Sequence, residues 1–272
     1  MEIKLLVLDM DGTTYYKGGE IVPANVKPIQ NALKQGVEVV IVTGRPALAP
    51  QNKLVENGFN YKNAIIAACN GACIYNFVEN KLLKSSPING DQAQAAFDLI
   101  AKFPDVELLG YVDNLTQAVH SRNDHHTFGW EFEHRFFEGE YLLYQDVKPQ
   151  ISEMKFFKLL AANVSQEFLQ AMEELNFETA FSAADKTLEI NAKGVNKASA
   201  VKWIAQHLNL TPDQIMSIGD GMNDLPMIEY ASHGVALKNS VAAVQKVAAI
   251  HIDKTNVEGG VAQAINQYIL KK

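Results

Sequence analysis

The chain has 272 residues, of which 47% are apolar and 20% charged, and its formal net charge at pH 7 is −7. This length and apolar content can support one large domain or two, and we favour two. The acidic balance argues against a nucleic-acid or membrane-surface protein, because such partners usually require a basic face. The sequence shows no signal-peptide pattern and no apolar run of about 18 residues, so we expect a cytoplasmic protein.

The N-terminal part of the chain alternates between strand and helix patterns. Strands are predicted at LLVLD, VEVVIVTG and AIIAAC, and helices at ANVKPIQNALKQG and RPALAPQNKLVENG. The strands are almost continuously apolar, which is typical of a parallel sheet covered on both faces. Two cysteines follow the third strand, in AACNGACIY. A lone C-x3-C pair lacks the four ligands of a structural zinc site, so we predict buried thiols on either side of an Asn-Gly turn.

The middle of the chain, residues 83–186, has a different pattern. It combines amphipathic helices such as DQAQAAFDLIAKF and SQEFLQAMEEL with short strands such as VELLGYV and KFFKLLAA. Turn-rich segments flank it, and the alternation of helix and strand resumes after it with NKASAVKWIAQHLN, IMSIGD and GVAL. We therefore predict an α/β fold with a doubly wound parallel sheet built from 1–82 and 187–272, into which an α+β domain is inserted at 83–186.

Three predicted strands end in polar residues that suit one chemistry. They are Asp9 and Asp11 after the first strand, Thr43 and Gly44 after the second, and Asp220, Asn223 and Asp224 after IMSIG. Lys197 stands at a predicted helix start. In an open parallel sheet, ligands bind beyond the carboxyl ends of the strands, so we expect these residues to meet at one edge.

A cluster of bare carboxylates would be unfavourable, since carboxylates within about 4 to 6 Å raise one another's pKa. A divalent cation removes the conflict, and an all-oxygen ligand set without His or Cys predicts Mg2+. Lys197, Thr43 and Asn223 then remain as donors for phosphate oxygens. A metal, donors and a free carboxylate together indicate phosphoryl transfer through an aspartyl-phosphate.

Four motifs carry a family resemblance. DMDGT, VTGR, GVNK and GDGMND resemble, in order, the four motifs of the haloacid dehalogenase-like (HAD) phosphohydrolases. The insert between the second and third motifs is similar to the large C2-type cap of the Cof-type subfamily. The resemblance implies a Rossmann-like catalytic core, with residues 83–186 as the cap that selects the substrate.

The resemblance also implies roles for the acidic residues. Asp9 would be the nucleophile and a Mg2+ ligand. Asp11 would act as general acid and then general base, with its backbone carbonyl on the metal. Asp220 would complete the protein ligands, and Asp224 would hold the metal's water shell or Lys197. Thr43, the backbone at Gly44, Lys197 and Asn223 would bind the phosphate.

These observations predict a Mg2+-dependent phosphatase for small phosphorylated metabolites, such as sugar phosphates or phosphorylated cofactors, working as a monomer or weak homo-oligomer. A phosphosugar mutase is the enzymatic alternative, since it also needs Asp11. A phospho-receiver would have to preserve its phosphoaspartate, which the second acid and the long insert oppose. A catalytically silent binding module would typically lack a nucleophile or metal ligand, and none is missing.

Some residues keep two interpretations. Arg45 fits either the site or a surface salt bridge, and Glu189 and Asn191 stand near the return to the core, where contact with substrate is possible. The spacing of the insert's histidines fits no familiar metal set. These histidines are His120, His125, His126 and His134. The cap residues from which substrate contacts could come include Arg122, Asp124, His125 and Trp130.

Overall fold

The strands form two sheets. The computed structural model describes residues 2–17, 19–47, 53–59, 63–122 and 135–271. In chain order the strands are β1 (Leu5–Leu8), β2 (Glu38–Val42), β3 (Ile65–Ala68), β4 (Cys73–Asn76), β5 (Lys81–Ser85), β6 (Ile88–Asn89), β7 (Glu107–Val112), β8 (Gln117–His120), β9 (Glu140–Leu143), β10 (Lys155–Ala162), β11 (Glu178–Ser182), β12 (Thr187–Asn191), β13 (Ile215–Gly219), β14 (His233–Ala236) and β15 (Ile250–His251).

The helices alternate with strands in the first and last parts of the chain. They are α1 (Pro23–Lys34), α2 (Gly90–Leu99), α3 (Tyr144–Val147), α4 (Gln166–Glu173), α5 (Lys197–His207), α6 (Leu225–Tyr230), α7 (Ala242–Val247) and α8 (Gly260–Tyr268). Residues 53–56 are also helical. Among the described residues, no helix combines the length and the apolar character needed to cross a membrane.

The first sheet has eight strands in the order β15-β14-β13-β1-β2-β3-β4-β5. The strands from β15 to β3 are parallel, and β4 and β5 extend the sheet as antiparallel neighbours. Successive residues of β1 point to opposite faces, as strand geometry requires. Leu6 and Leu8 pack in one core with α1 and α8, while Leu5 and Val7 pack in another with α5, α6 and α7. The predicted doubly wound α/β core is therefore confirmed.

The second sheet is mainly antiparallel and has its own core. Its order is β11-β12-β10-β7-β8-β9, and β6 pairs with β10. The apolar side chains of α2 and α4 pack against it around Phe97, Phe156 and Phe168. The predicted boundaries of the insert fall inside β5 and at the start of β12. Because β5 belongs to the first sheet and β12 to the second, the sheets change between Ser85 and Ile88 and again after Asn191.

Candidate active site

The central strands of the first sheet bring the predicted site residues to one edge. In the sheet β1 lies between β13 and β2, and all three run parallel. Asp9 follows the end of β1, Thr43 follows β2 and Asp220 follows β13. The carboxyl ends of three adjacent parallel strands therefore meet in one crevice, which is where such sheets bind ligands.

Three carboxylates form a tight cluster in this crevice. Asp9, Asp220 and Asp224 each place one ligand atom within 4.8 Å of the others. The buried Lys197 lies among them: its Nζ donates to Asp9 Oδ1 at 2.5 Å and to Asp224 Oδ1 at 2.6 Å. Lys197 is the first residue of α5, as the sequence predicted for its helix start. One ammonium thus offsets part of the charge of three carboxylates.

Burial dominates the electrostatics of the cluster. It raises the pKa of Asp9 well above the ordinary value; the neighbouring Asp224 and Asp220 charges raise it further, while Lys197 opposes them. Burial, reinforced by Asp224, also raises the pKa of Asp220 to about 7. Burial alone would lower the pKa of Lys197, but Asp224 and Asp9 outweigh it and raise that pKa above its usual range. The cluster holds more negative charge than Lys197 compensates.

This donor set fits a hard divalent cation. All three groups offer carboxylate oxygen, and their close approach is unfavourable without added positive charge. Oxygen ligands at this spacing are those that Mg2+ and similar ions accept. The raised pKa values of Asp9 and Asp220 indicate the same need.

The side chain of Asp224 does not form the hydrogen bonds of an ordinary N-cap residue. It occupies the N-cap position of α6, but its side chain makes no capping bond to that helix. Instead Oδ2 accepts hydrogen bonds from the backbone N–H of Asp220 at 3.0 Å and of Gly221 at 2.9 Å, and Oδ1 accepts from Lys197. Asp224 therefore shapes the loop that carries Asp220 and fixes the ammonium of Lys197.

Asp11 is held apart from the carboxylate cluster by Arg45. The guanidinium forms a two-bond fork: Nε donates to Asp11 Oδ2 at 2.6 Å, and Nη2 donates to Asp11 Oδ1. The Arg45 side chain is only 9% exposed, and its Cζ lies 4.1 Å from the centre of the Phe136 ring. Arg45 therefore forms a salt bridge, as one of its two interpretations expected, but its own side chain is largely buried and its partner is a predicted catalytic acid.

The turn after Asp11 depends on close packing against Asp220. Gly12 has φ +80°, and a Cβ at this position would come within 2.6 Å of Asp220 Oδ2. The next side chain, Thr13, donates from Oγ1 to Asp220 Oδ1 at 2.7 Å. A side chain at position 12 would thus disturb both the backbone and a carboxylate of the cluster.

Thr43 and Gly44 lie at the start of the loop after β2. Thr43 is buried, and its Oγ1 accepts from the backbone N–H of Arg45 at 3.1 Å. The Gly44 carbonyl accepts from Lys158 Nζ, on β10 of the second sheet, at 2.7 Å. The second sheet therefore contacts the loop that carries two of the predicted phosphate-binding residues.

Asn223 and Glu189 belong to a polar network that the sequence did not reveal. The Asn223 amide donates to Glu189 Oε2 at 2.8 Å and contacts Asn70 Oδ1 at 3.4 Å. Asn70 also donates to Glu189 and to Asn191 Oδ1. Asn70 and Lys158 were not predicted as site residues, because no sequence pattern around them indicates contact with motifs far away in the chain. A signal was present in Asn70, since an Asn-Gly pair directly after a strand at this edge favours a turn.

Several further predictions concern residues near the site. Cys69 and Cys73 are buried cysteines on either side of a turn in which Asn70 and Gly71 have positive φ, as predicted. Of the insert's histidines, His120 is buried on β8. The remaining histidines and three of the four suggested substrate contacts, of which one is itself a histidine, lie outside the described residues. Together these are Asp124, His125, His126, Trp130 and His134.

Comparison with known proteins identifies the family. The model for haloacid dehalogenase-like hydrolases matches residues 6–265. The chain belongs to the haloacid dehalogenase-like hydrolases. The predicted resemblance and class of enzyme, a phosphoric monoester hydrolase of Cof type, are thereby confirmed.

Relatives of this HAD hydrolase match it from end to end. The 5-amino-6-(5-phospho-D-ribitylamino)uracil phosphatase YcsE of Bacillus subtilis is 31% identical over 279 residues, covering 99% of this chain and 97% of that protein. The phosphatase YwpJ of Bacillus subtilis is 24% identical over 294 residues, covering 98% and 100%. A haloacid dehalogenase-like hydrolase from Bacteroides thetaiotaomicron superposes with a TM-score of 0.81 at 25% identity, covering 98% and 99% of the two chains.

Proposed function

We propose that this HAD hydrolase removes phosphate from small phosphorylated metabolites, with Asp9 as the nucleophile. The observation that carries the proposal is the arrangement of Asp9, Asp220 and Asp224 within 4.8 Å, with Lys197 between two of them. Asp11 stands beside this cluster as a second, separate acid. Phosphoryl transfer needs positioning and compensation of charge more than any other contribution from the protein, and this crevice supplies both.

Asp9 and Asp220 would hold a Mg2+ ion, with the backbone carbonyl of Asp11 and with Asp224 behind them. When bound, Mg2+ would neutralise the clustered carboxylates and the phosphate oxygens and so lower the cost of bringing them together. The all-oxygen donor set supports this ion over a softer metal.

In the first step, Asp9 would attack the phosphorus of the ester. A bond forms between the carboxylate oxygen and phosphorus, while the bond from phosphorus to the ester oxygen breaks. Asp11 would give its proton to that leaving oxygen. Both oxygens of Asp11 are bound by Arg45 in the structure, so at least one of those bonds must open for the transfer.

In the second step, water would attack phosphorus and release inorganic phosphate. Asp11, deprotonated by the first step, would take a proton from that water, which restores the acid for the next cycle. The Asp9 carboxylate is regenerated as its bond to phosphorus breaks. Lys197, Thr43, the backbone at Gly44 and Asn223 would bind the phosphate and offset its charge.

The second sheet supports a small substrate. We propose that residues 83–186 form a cap over the core at 1–82 and 187–272. The change from one sheet to the other falls a few residues later than each of these boundaries. Lys158 of β10 donates to the Gly44 carbonyl, which supports a cap that would close over the proposed phosphate site. Such a cap would admit a small metabolite and exclude a folded phosphoprotein. The name of the Bacillus subtilis relative YcsE, a phosphatase of a phosphorylated ribityl compound, supports the same class.

The test is phosphate release from p-nitrophenyl phosphate and from a panel of phosphometabolites ranked by kcat/KM. We expect release that requires Mg2+ and is abolished in Asp9→Asn, a variant that keeps the shape of the side chain. Activity that survives EDTA would contradict the metal assignment, and wild-type turnover in Asp9→Asn would contradict the nucleophile. Accumulation of an isomeric sugar phosphate in place of free phosphate would indicate a mutase.

A further inference from the structure

A partly buried polar cluster joins the two sheets beside the proposed phosphate site. We call it the core–cap cluster; its members are Gly44, Asn70, Lys158, Glu189 and Asn223. Lys158 and Glu189 stand on β10 and β12 of the second sheet, whereas the other three belong to loops at the edge of the first. The proposed chemistry assigns nothing to Lys158, Glu189 or Asn70.

Lys158 and Glu189 form an ion pair in the cluster. Lys158 Nζ lies 2.9 Å from Glu189 Oε1, and the two side chains are 4% and 18% exposed. The same Nζ donates to the Gly44 carbonyl at 2.7 Å. A buried ammonium is costly unless it is paired and hydrogen-bonded, and both conditions are met here.

The other carboxylate oxygen of Glu189 accepts hydrogen bonds from loops of the first sheet. Oε2 accepts from Asn223 Nδ2 at 2.8 Å and from Asn70 Nδ2 at 3.1 Å. Burial alone would raise the pKa of Glu189, but Lys158, Lys197 and Asn70 outweigh it and hold that pKa below the usual value. Glu189 is therefore a charged acceptor that draws an N–H of Asn223 towards the cap.

Glu189 also packs directly on Gly44. A Cβ on Gly44 would come within 2.3 Å of Glu189 Oε1. Gly44 is not one of the glycines with positive φ. The close approach of Glu189, rather than the backbone conformation, therefore explains why a glycine is needed here. The carboxylate thus lies against the loop that follows Thr43.

We propose that Lys158 and Glu189 are positioning residues of the phosphate site: Glu189 orients the Asn223 amide and Lys158 the Gly44 peptide, and Lys158 cancels the charge of Glu189. The proposal rests on the proposed function, because it assumes that phosphate binds at Asn223 and Gly44.

The geometry of Asn223 explains how this works. Its amide has two N–H bonds, and the one taken by Glu189 fixes the plane of the group. The second makes only a 3.4 Å contact with Asn70 Oδ1, at the limit of a hydrogen bond, so a phosphate oxygen can replace that acceptor.

Charge compensation explains why two residues of the second sheet are needed. A carboxylate one hydrogen bond away from a phosphate ligand would repel the dianion in a crevice of low dielectric. With Lys158 beside it, Glu189 contributes orientation without net charge. The phosphate site would therefore be completed only when the cap brings this neutral pair onto the core.

The experiment measures orthophosphate binding by calorimetry, in the presence of Mg2+, for the full-length wild type and three variants. The variants are Lys158→Met, Lys158→Met/Glu189→Gln and the control Lys155→Met, which removes an exposed lysine from the same strand. Lys158→Met removes the cation that is paired with Glu189, so we expect binding to weaken roughly 30- to 100-fold. The double variant is neutral again and should recover to within about tenfold of wild type, while Lys155→Met should match wild type.

A pair that served only to hold the cap would give a different pattern. The double variant would then bind phosphate no better than Lys158→Met, and this result would overturn the proposal. Thermal unfolding shows whether each variant is folded. If Lys158→Met is not, Lys158→Gln takes its place, since it keeps a donor for Gly44 without the charge.

The p-nitrophenyl phosphate assay distinguishes a failure of the positioning pair from a failure of the proposed function. Hydrolysis by the wild type without recovery in the double variant would reject the positioning pair alone. A wild type that neither hydrolyses the ester nor binds orthophosphate would reject both the proposed function and this inference.

Discussion

Asp9 and Asp11 are chemically identical side chains one residue apart, yet they have different surroundings. Asp9 is buried and bound to the ammonium of Lys197 inside the carboxylate cluster. Asp11 is 32% exposed and bound to the guanidinium of Arg45, outside that cluster. Met10 between them is fully buried in the core, which anchors the segment. The different partners support the proposed division into nucleophile and acid–base.

The pKa of Asp220 leads to a prediction about metal and pH. Burial and Asp224 raise it to about 7 from an ordinary value of 3.8. Between these values the metal-free fold keeps a proton that the unfolded chain has lost, so its stability falls as pH rises through this range. Mg2+ competes with that proton, and we expect it to raise the unfolding temperature more at about pH 8 than at about pH 5.5.

The matched control for this measurement is Asp220→Asn, which removes the titrating group. In this variant, the difference between the two pH values should shrink. Equal shifts of the wild-type unfolding temperature at both pH values would contradict the competition between Mg2+ and the Asp220 proton, and no shift at either pH would contradict the metal site.

Helix α5 places Lys197 through its first turn. Asn196 caps the helix: its side chain accepts from the Ser199 N–H at 3.0 Å, and Ser199 Oγ lies 3.1 Å from the Asn196 N–H. The Asn196 amide also donates to Glu178 Oε1, on β11 of the second sheet, at 2.8 Å. One residue therefore starts the helix that carries Lys197 and links it to the second sheet.

Substitution of Asn196 separates its two contributions. Asn196→Ser keeps a good cap but loses the contact with Glu178, whereas Asn196→Ala loses both. We expect Asn196→Ala to destabilise the fold by about 1 kcal/mol, with Asn196→Ser close to wild type. Urea unfolding measures this difference. If the two variants are equally stable, the capping bond contributes nothing.

The elements that could be predicted are those whose signal is local. The apolar runs of β1, β2 and β13 and the polar residues at their ends were enough to predict the sheet and its ligand edge. The contacts of Asn70 and Lys158 were not predictable, because they join residues more than a hundred positions apart; only the turn at Asn70 had a local signal. The sheet to which β5 and β12 each belong was also not predictable, since the sequence of a short strand does not indicate which sheet it joins.

Two ion pairs lie where the second sheet and its turns meet the rest of the chain. The Lys158–Glu189 pair lies within that sheet, is largely buried and contacts the Gly44 loop. Lys17, in the loop after Asp11, instead donates to both oxygens of Asp185 in the turn between β11 and β12, at 2.8 and 2.9 Å. That second pair is exposed to solvent. Removal of one partner should therefore cost more free energy in the buried pair than in the exposed pair.

Asp185→Asn tests the weak pair. A hydrogen bond from Lys17 holds the pKa of Asp185 below its ordinary value, so any stabilisation is present at neutral pH and is lost as pH falls through that lowered value. Because the pair is exposed, we expect a loss of less than about 1 kcal/mol that disappears at high salt. Urea unfolding at low and high salt measures it; a larger loss that salt does not change would contradict this assignment.

We propose that Asp9 carries the phosphoryl group between the two steps, and this can be observed directly. Asp11→Asn should still be phosphorylated by p-nitrophenyl phosphate with Mg2+, because p-nitrophenolate leaves without a proton, but water attack lacks its base. After an acid quench, mass spectrometry of the peptides should locate a phosphoryl group on Asp9, and Asp9→Asn should carry none. A burst of p-nitrophenol from Asp11→Asn with no phosphoryl group on Asp9 would contradict the account.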